Sequence, residues 1–185
     1  MTARTTPNTR TTLMTPTTPA ATPAVSASGK LKYSGVWGTD FTFPNETAIS
    51  TLINDGYNIF RIRFAMERLA ALSLSSTLQT AYLNNLAHVV SFTTKQGRYV
   101  VLDPHNYGRY SSNIVTDTNA FKTFRGNITG AFSTSGNVIF DTHNEYHDMN
   151  QILVLHLNRA AIDGVGAVGA ASQYIMASGN SYSGA

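Results

Sequence analysis

Five ionisable side chains fall within eight residues, Asp141, His143, Glu145, His147 and Asp148, directly after the apolar run Val138-Ile139-Phe140. Unpaired charge is too costly in a core for a strand to carry such a group onward through it. The strand can instead deliver the group from its carboxyl end into a cleft, where parallel α/β folds place their chemistry. Alternate residues of a strand share a face, so Asp141, His143 and Glu145 are expected to point the same way. Two chemistries suit these types. One is acid/base work by a carboxylic acid among polar neighbours, and the other is a metal centre of Asp, His and Glu, with His105 as a further ligand. A plain polar loop after a strand is the alternative to both.

The elements that would position this group alternate along the chain. A short strand is expected over 31–36, a helix over 46–55 and a strand over 58–64. A long helix follows over 76–96, with Leu78, Tyr82, Leu83, Leu86, Val89 and Val90 at three-to-four spacing, and Gly97 ends it. A buried strand over 99–103, a helix over 118–132, the strand before Asp141, a helix over 148–168 and a strand over 173–177 complete the series. Alternating strands and helices imply parallel pairing through right-handed crossovers. The polar residues follow the strands rather than precede them: Arg61 and Arg63, then His105, Asn106 and Tyr107, then Asn144 and Glu145, then Asn180 and Tyr182. All would meet on one rim, as in a (β/α)8 barrel. No glycine-rich phosphate loop follows the first strand, which disfavours a doubly wound nucleotide-binding fold.

Composition narrows the function classes. Only 12% of the 185 residues are charged and the net charge is +3, with no run of Lys or Arg, so nucleic acid is a poor candidate partner. No apolar run is long enough to span a membrane. The absence of Cys removes disulfide and thiolate chemistry. Low charge with abundant Ser, Thr, Asn and Gly suits a secreted protein. The sequons at Asn45 and Asn127 make both candidate N-glycan carriers. Residues 1–29 hold ten Thr and four Pro and too few large apolar groups to offset the entropy of ordering, and read as a disordered linker. The ordered domain is then expected over 30–185.

Several strings are recognisable: Gly35-Val-Trp-Gly-Thr-Asp-Phe-Thr-Phe-Pro44, Phe64-Ala-Met-Glu-Arg-Leu69, Leu102-Asp-Pro-His-Asn-Tyr-Gly-Arg-Tyr110 and Val138-Ile-Phe-Asp-Thr-His-Asn-Glu-Tyr-His-Asp-Met149. Together they resemble the fungal family 5 glycoside hydrolases, most closely the secreted endo-β-1,4-glucanases. The resemblance implies the α/β architecture of a (β/α)8 barrel, here a partial barrel of about five βα units. It implies retaining hydrolysis of a β-glucan polysaccharide, with no cofactor and no metal. It makes Glu145 the acid/base and gives Asn144, His105 and Arg61 to substrate binding, Arg61 by orienting the nucleophile; Tyr107 and Tyr182 at the rim are of a type that stacks on sugar rings or simply packs. Related mannanases and other β-glycanases share this constellation.

The chain also departs from the family pattern. The nucleophilic Glu of the family ends its seventh strand, and this chain stops after the fifth. An inactive glucan-binding fragment is therefore the second expectation. His143 stands where the family usually has Asn, and Arg63 where it usually has Pro or Gln.

Overall fold

A computed structural model of the chain describes residues 10–14, 36–170 and 172–180. Its central sheet has five parallel strands in the order β1 (Arg10–Met14), β2 (Tyr57–Phe64), β3 (Tyr99–Pro104), β6 (Val138–Asp141) and β7 (Ile175–Met176). Helices α1 (Glu46–Asn54), α3 (Thr80–Lys95), α4 (Thr118–Phe132) and α5 (Gln151–Ala167) fall between them. This is the parallel βα succession expected for part of a (β/α)8 barrel. Two small elements were not foreseen, the turn of helix α2 (Met66–Leu69) and the hairpin of β4 (Arg109–Tyr110) with β5 (Asn113–Ile114).

The two-residue period of the strands sorts the sheet into two faces. Phe60, Ile62 and Phe64 of β2, Val100 and Leu102 of β3, and Val138 and Phe140 of β6 belong to the buried apolar core shared with the helices. Their alternates, Arg61 and Arg63, Val101 and Asp103, and Asp141, lie on the opposite face. Parallel register sets Arg61 beside Val101 and Arg63 beside Asp103. The sequence therefore spends one face on packing and keeps the other for polar groups.

Helix starts follow local chemistry. Asn45, Asp117 and Asn150 cap α1, α4 and α5, each side chain accepting from backbone N–H groups of the first turn. The cap of α5 is thus Asn150, and Asp148 instead pairs with His147 at 2.8 Å. Helix α3 begins at Thr80, later than its apolar period suggests, because Ser73–Ser76 close a separate turn through Ser76 Oγ and the Ser73 carbonyl. Helices α4 and α5 approach closely at Gly164, where a Cβ would stand 2.5 Å from the Lys122 carbonyl oxygen.

The reading of 1–29 as a disordered linker is corrected at Arg10–Met14. These residues form a strand, parallel to β2 and in register with it from Thr11 to Met14. The physical reason is twofold: threonine is β-branched and favours strands, and the outer edge of β2 would otherwise present unpaired N–H and C=O groups. The remainder of 1–29 lies outside the described residues. So does the strand expected over 31–36, apart from Val36, which is exposed and whose N–H donates to Asp40 Oδ2 at 2.6 Å.

Candidate active site

Arg61, on the polar face of β2, gathers three groups from the neighbouring strand ends. Its Nε lies 3.1 Å from Asp103 Oδ2 on β3. Its Nη2 donates to Asp141 Oδ2 at 2.7 Å and to Asn144 Oδ1 at 3.0 Å. Asp103 and Asp141 are almost wholly buried, so each needs a cation to remain. Burial, reinforced by the charge of Asp103, pushes the Asp141 carboxyl up to about 6 against the pull of Arg61 and Arg125.

The same Asp103 oxygen holds His105, whose Nδ1 is 2.8 Å away. On the other side of the ring, His105 Nε2 is 3.0 Å from Arg63 Nη1. A guanidinium has only donors, so Nε2 accepts and the ring proton sits on Nδ1, donated to Asp103. The Tyr107 hydroxyl also approaches Nε2, at 3.2 Å, and its ring stands edge-on to His105. The His105 backbone N–H donates to the Phe64 carbonyl at 2.9 Å, which ties this loop to the end of β2.

β6 stops at Asp141, and this overturns the expectation that Asp141, His143 and Glu145 share a face. Glu145 takes a left-handed backbone, φ 38°, which breaks the strand alternation. His143 instead packs among the Phe121 and Tyr146 rings, fully buried, with the Gly108 N–H donating to its Nδ1 at 3.3 Å. Burial lowers the His143 imidazole to about 3, leaving it neutral. The loop is pinned where the Asn144 N–H donates to the Pro104 carbonyl at 3.1 Å. Asn144 Nδ2 has no hydrogen-bond partner among the described residues. Glu145 is half-buried.

The structure thus brings Arg61, His105, Tyr107 and Asn144 into one connected array and places Glu145 at its edge, next to Asn144. Tyr182 lies outside the described residues. Both sequon asparagines, Asn45 and Asn127, are exposed. The four groups considered for a metal are dispersed, since His143 turns into the helix layer. Among the described residues no group of three or more His, Asp or Glu is placed to hold a metal ion.

Three residues of this neighbourhood were not singled out by the sequence. Asp103 is the anchor shared by Arg61 and His105, and its place at the end of a buried strand was the available signal. Glu67 looks like a loop acid in the sequence, yet it is buried on α2 and accepts from Asn106 Nδ2 at 2.6 Å and from the Ser111 N–H at 2.5 Å. It clamps the loop that carries His105 and Tyr107. Arg125 on α4 is wholly buried, and none of its guanidinium nitrogens has a hydrogen-bond partner among the described residues. Burial lowers it to about 10, with Asp141, Tyr146 and Asp103 opposing that shift.

The chain is similar to known proteins. The profile of the cellulase family, glycosyl hydrolase family 5, matches residues 16–185. An endoglucanase of Neurospora crassa is 53% identical over 86% of this chain and 45% of its own length. Endoglucanase 3 of Humicola insolens is 52% identical over 85% of this chain and 40% of its own length. The chain therefore spans about half the length of the curated relatives it matches. Among solved structures, the Pseudomonas stutzeri endoglucanase Cel5A in complex with cellobiose superposes with a TM-score of 0.75 at 24% identity, covering 82% of this chain and 46% of that one. At that identity the likeness speaks for the fold.

Proposed function

We propose, from the premise that this chain belongs to the cellulase family, glycosyl hydrolase family 5, that it carries the acid/base half of a secreted endo-β-1,4-glucanase site. The observation that carries the reading is the anchoring of the Asn144-Glu145 pair. Asn144 is held by Arg61, which is itself fixed by two buried carboxylates, so the acid next to it leaves the rim from a fixed backbone.

The roles follow from the chemistry of each group. A retaining glycosidase needs two carboxyl groups about 5 Å apart across the scissile bond. Glu145 is the acid that protonates the leaving oxygen and then, as carboxylate, takes the proton of the attacking water. The second carboxylate, the nucleophile, belongs by family resemblance to a seventh strand, in the part of the relatives that this chain does not span. Asn144 spends its Oδ1 on Arg61, and its Nδ2, uncommitted but buried, is the group that resemblance assigns to a sugar hydroxyl. His105, with its proton fixed on Nδ1, and Tyr107 line the adjoining subsite, and Tyr182 is assigned to substrate by its ring type and its place after the last strand alone. Arg61 keeps the carboxylate-rich floor of the site ordered. No step of this scheme calls on a cofactor or a metal. Asn45 and Asn127 are the positions for N-glycans in a secreted protein.

A second reading has its own support. Because the chain spans about half of its relatives, a glucan-binding unit without turnover is the alternative. One experiment separates the two. The 185-residue chain and its Glu145→Gln variant are given cellotetraose and hydroxyethylcellulose, with azide as an external nucleophile in place of the family's seventh-strand carboxylate, and binding is followed by NMR and cleavage by release of shorter chains. Release that vanishes in the variant supports the glucanase. Cellotetraose shifts at Asn144 and His105 without release support the binding unit. No binding and no release overturns both, and mannotetraose bound in preference to cellotetraose moves the assignment to a mannan.

A further inference from the structure

Beside this site lies an open cavity of about 220 Å3 whose wall includes Arg63, Arg68, His105, Phe41, Phe43 and Tyr82. Its electrostatics differ from those of the neighbouring floor. Arg61 is neutralised by Asp103 and Asp141. Arg63 and Arg68, among the described residues, have no carboxylate within 4.0 Å. Arg63 spends Nη1 on the uncharged ring of His105, which orients the guanidinium without cancelling its charge. Arg68 stacks its guanidinium 4.3 Å from the centre of the Phe41 ring, which again orients it and leaves the charge. No acidic side chain lines the cavity.

Two oriented, unneutralised guanidinium groups in a concave, partly apolar wall form an anion site rather than a neutral one. Arginine pairs with carboxylates through two parallel N–H donors, a match that hydroxyl groups cannot reproduce. The aromatic rings beside the cations offer apolar surface to a sugar ring. His105 joins the cavity to the Asp103–Arg61 array, so a ligand held here would be continuous with a chain lying in the main site.

We propose that this cavity is a subsite for a carboxylate-bearing sugar, a uronic acid or a carboxymethylated glucose, which would direct the chain toward acidic rather than purely neutral glycans. The assignment rests on the glycan reading given above. It adds a preference that neither the family nor its neutral substrates require.

The test is a titration of the 185-residue chain with methyl β-D-glucuronoside and, separately, methyl β-D-glucoside, read by NMR at the arginine Nε–H signals. The uronoside is expected to bind at least tenfold more tightly, to shift the Arg63 and Arg68 signals, and to weaken as salt is raised. Arg68→Met should remove the preference while leaving cellotetraose binding in place, and Arg68→Lys should keep part of it. Equal affinity for the two glycosides would overturn the proposal, as would a preference that persists in both Arg68→Met and Arg63→Gln. If either variant fails to fold by thermal unfolding, the salt response and the position of the shifts in the unaltered chain decide. Absence of cellotetraose binding would count against the glucan reading alone, because the carboxylate preference is measured with monosaccharides.

Discussion

Arg61 reaches past a whole strand to Asp141: β3 lies between β2 and β6, and the Nη2–Oδ2 distance is 2.7 Å. Adjacent strands are spaced about 4.8 Å, so only a long side chain directed across the polar face spans that gap. On the way it pairs with Asp103. Removing it would leave two buried carboxylates with no cation in direct contact, since Arg125 acts on them without an ion pair. Arg61→Met is therefore expected to destabilise the fold by roughly 3–5 kcal/mol at neutral pH. Urea denaturation measures this, and a loss below about 1 kcal/mol would show that Arg61 is not the organising cation. The deficit should shrink as pH falls through about 6, where the Asp141 carboxyl takes a proton.

His143 gives the fold an acid sensitivity of its own. Its imidazole is lowered from the ordinary 6.5 to about 3 by burial, so between those values the unfolded chain binds the proton and the folded chain does not. Stability contributed by the neutral ring is complete above pH 6.5 and is lost as pH falls toward 3, by about 2 kcal/mol at pH 5. Asp141, raised from 3.8 to about 6, slopes the other way, losing stability as pH rises between those values. The difference between the unaltered chain and His143→Asn cancels the Asp141 contribution. That difference should favour the variant progressively below pH 6.5, and a pH-independent difference would contradict the neutral buried ring.

Much of this site could be read from residue order, for a physical reason. Strand ends and helix faces leave periodic marks, so the strand run at Val100–Leu102, the apolar face of α3 and the polar residues after each strand were all visible. What could not be read depends on contacts between distant segments or on single backbone angles. Arg63 meets His105 across 42 positions, and the burial of Glu67 is set by Asn106 and Ser111. His143 turned away because β6 ends at Asp141 and Glu145 takes positive φ, neither of which alternation can signal. The Thr- and Pro-rich start has the composition of a linker, and only the open edge of β2 makes a strand of Arg10–Met14.

Arg125 is expected to cost the fold stability. It is wholly buried at the close crossing of α4 and α5, and its three guanidinium nitrogens lack hydrogen-bond partners among the described residues. Replacing a poorly satisfied buried charge by an apolar side chain of similar size is often stabilising by about 1–4 kcal/mol. Arg125→Met should therefore raise the midpoint of thermal unfolding by several degrees. A lower midpoint would mean that attraction to Asp141 and Asp103 outweighs the desolvation of the guanidinium.

Glu145 should carry a conformational cost alongside the chemical role proposed for it. Its φ of 38° lies in the left-handed region, which a non-glycine residue occupies at an expense of about 1–2 kcal/mol. Glu145→Ala removes the carboxylate and keeps that expense. Glu145→Gly removes both, though glycine also gives up more chain entropy on folding, about 0.5–1 kcal/mol. Hydrolysis should be absent from both variants, but the glycine variant should be the more stable of the two by up to about 1 kcal/mol in urea. If alanine is the more stable of the two, the backbone expense at Glu145 is smaller than the entropy that glycine gives up.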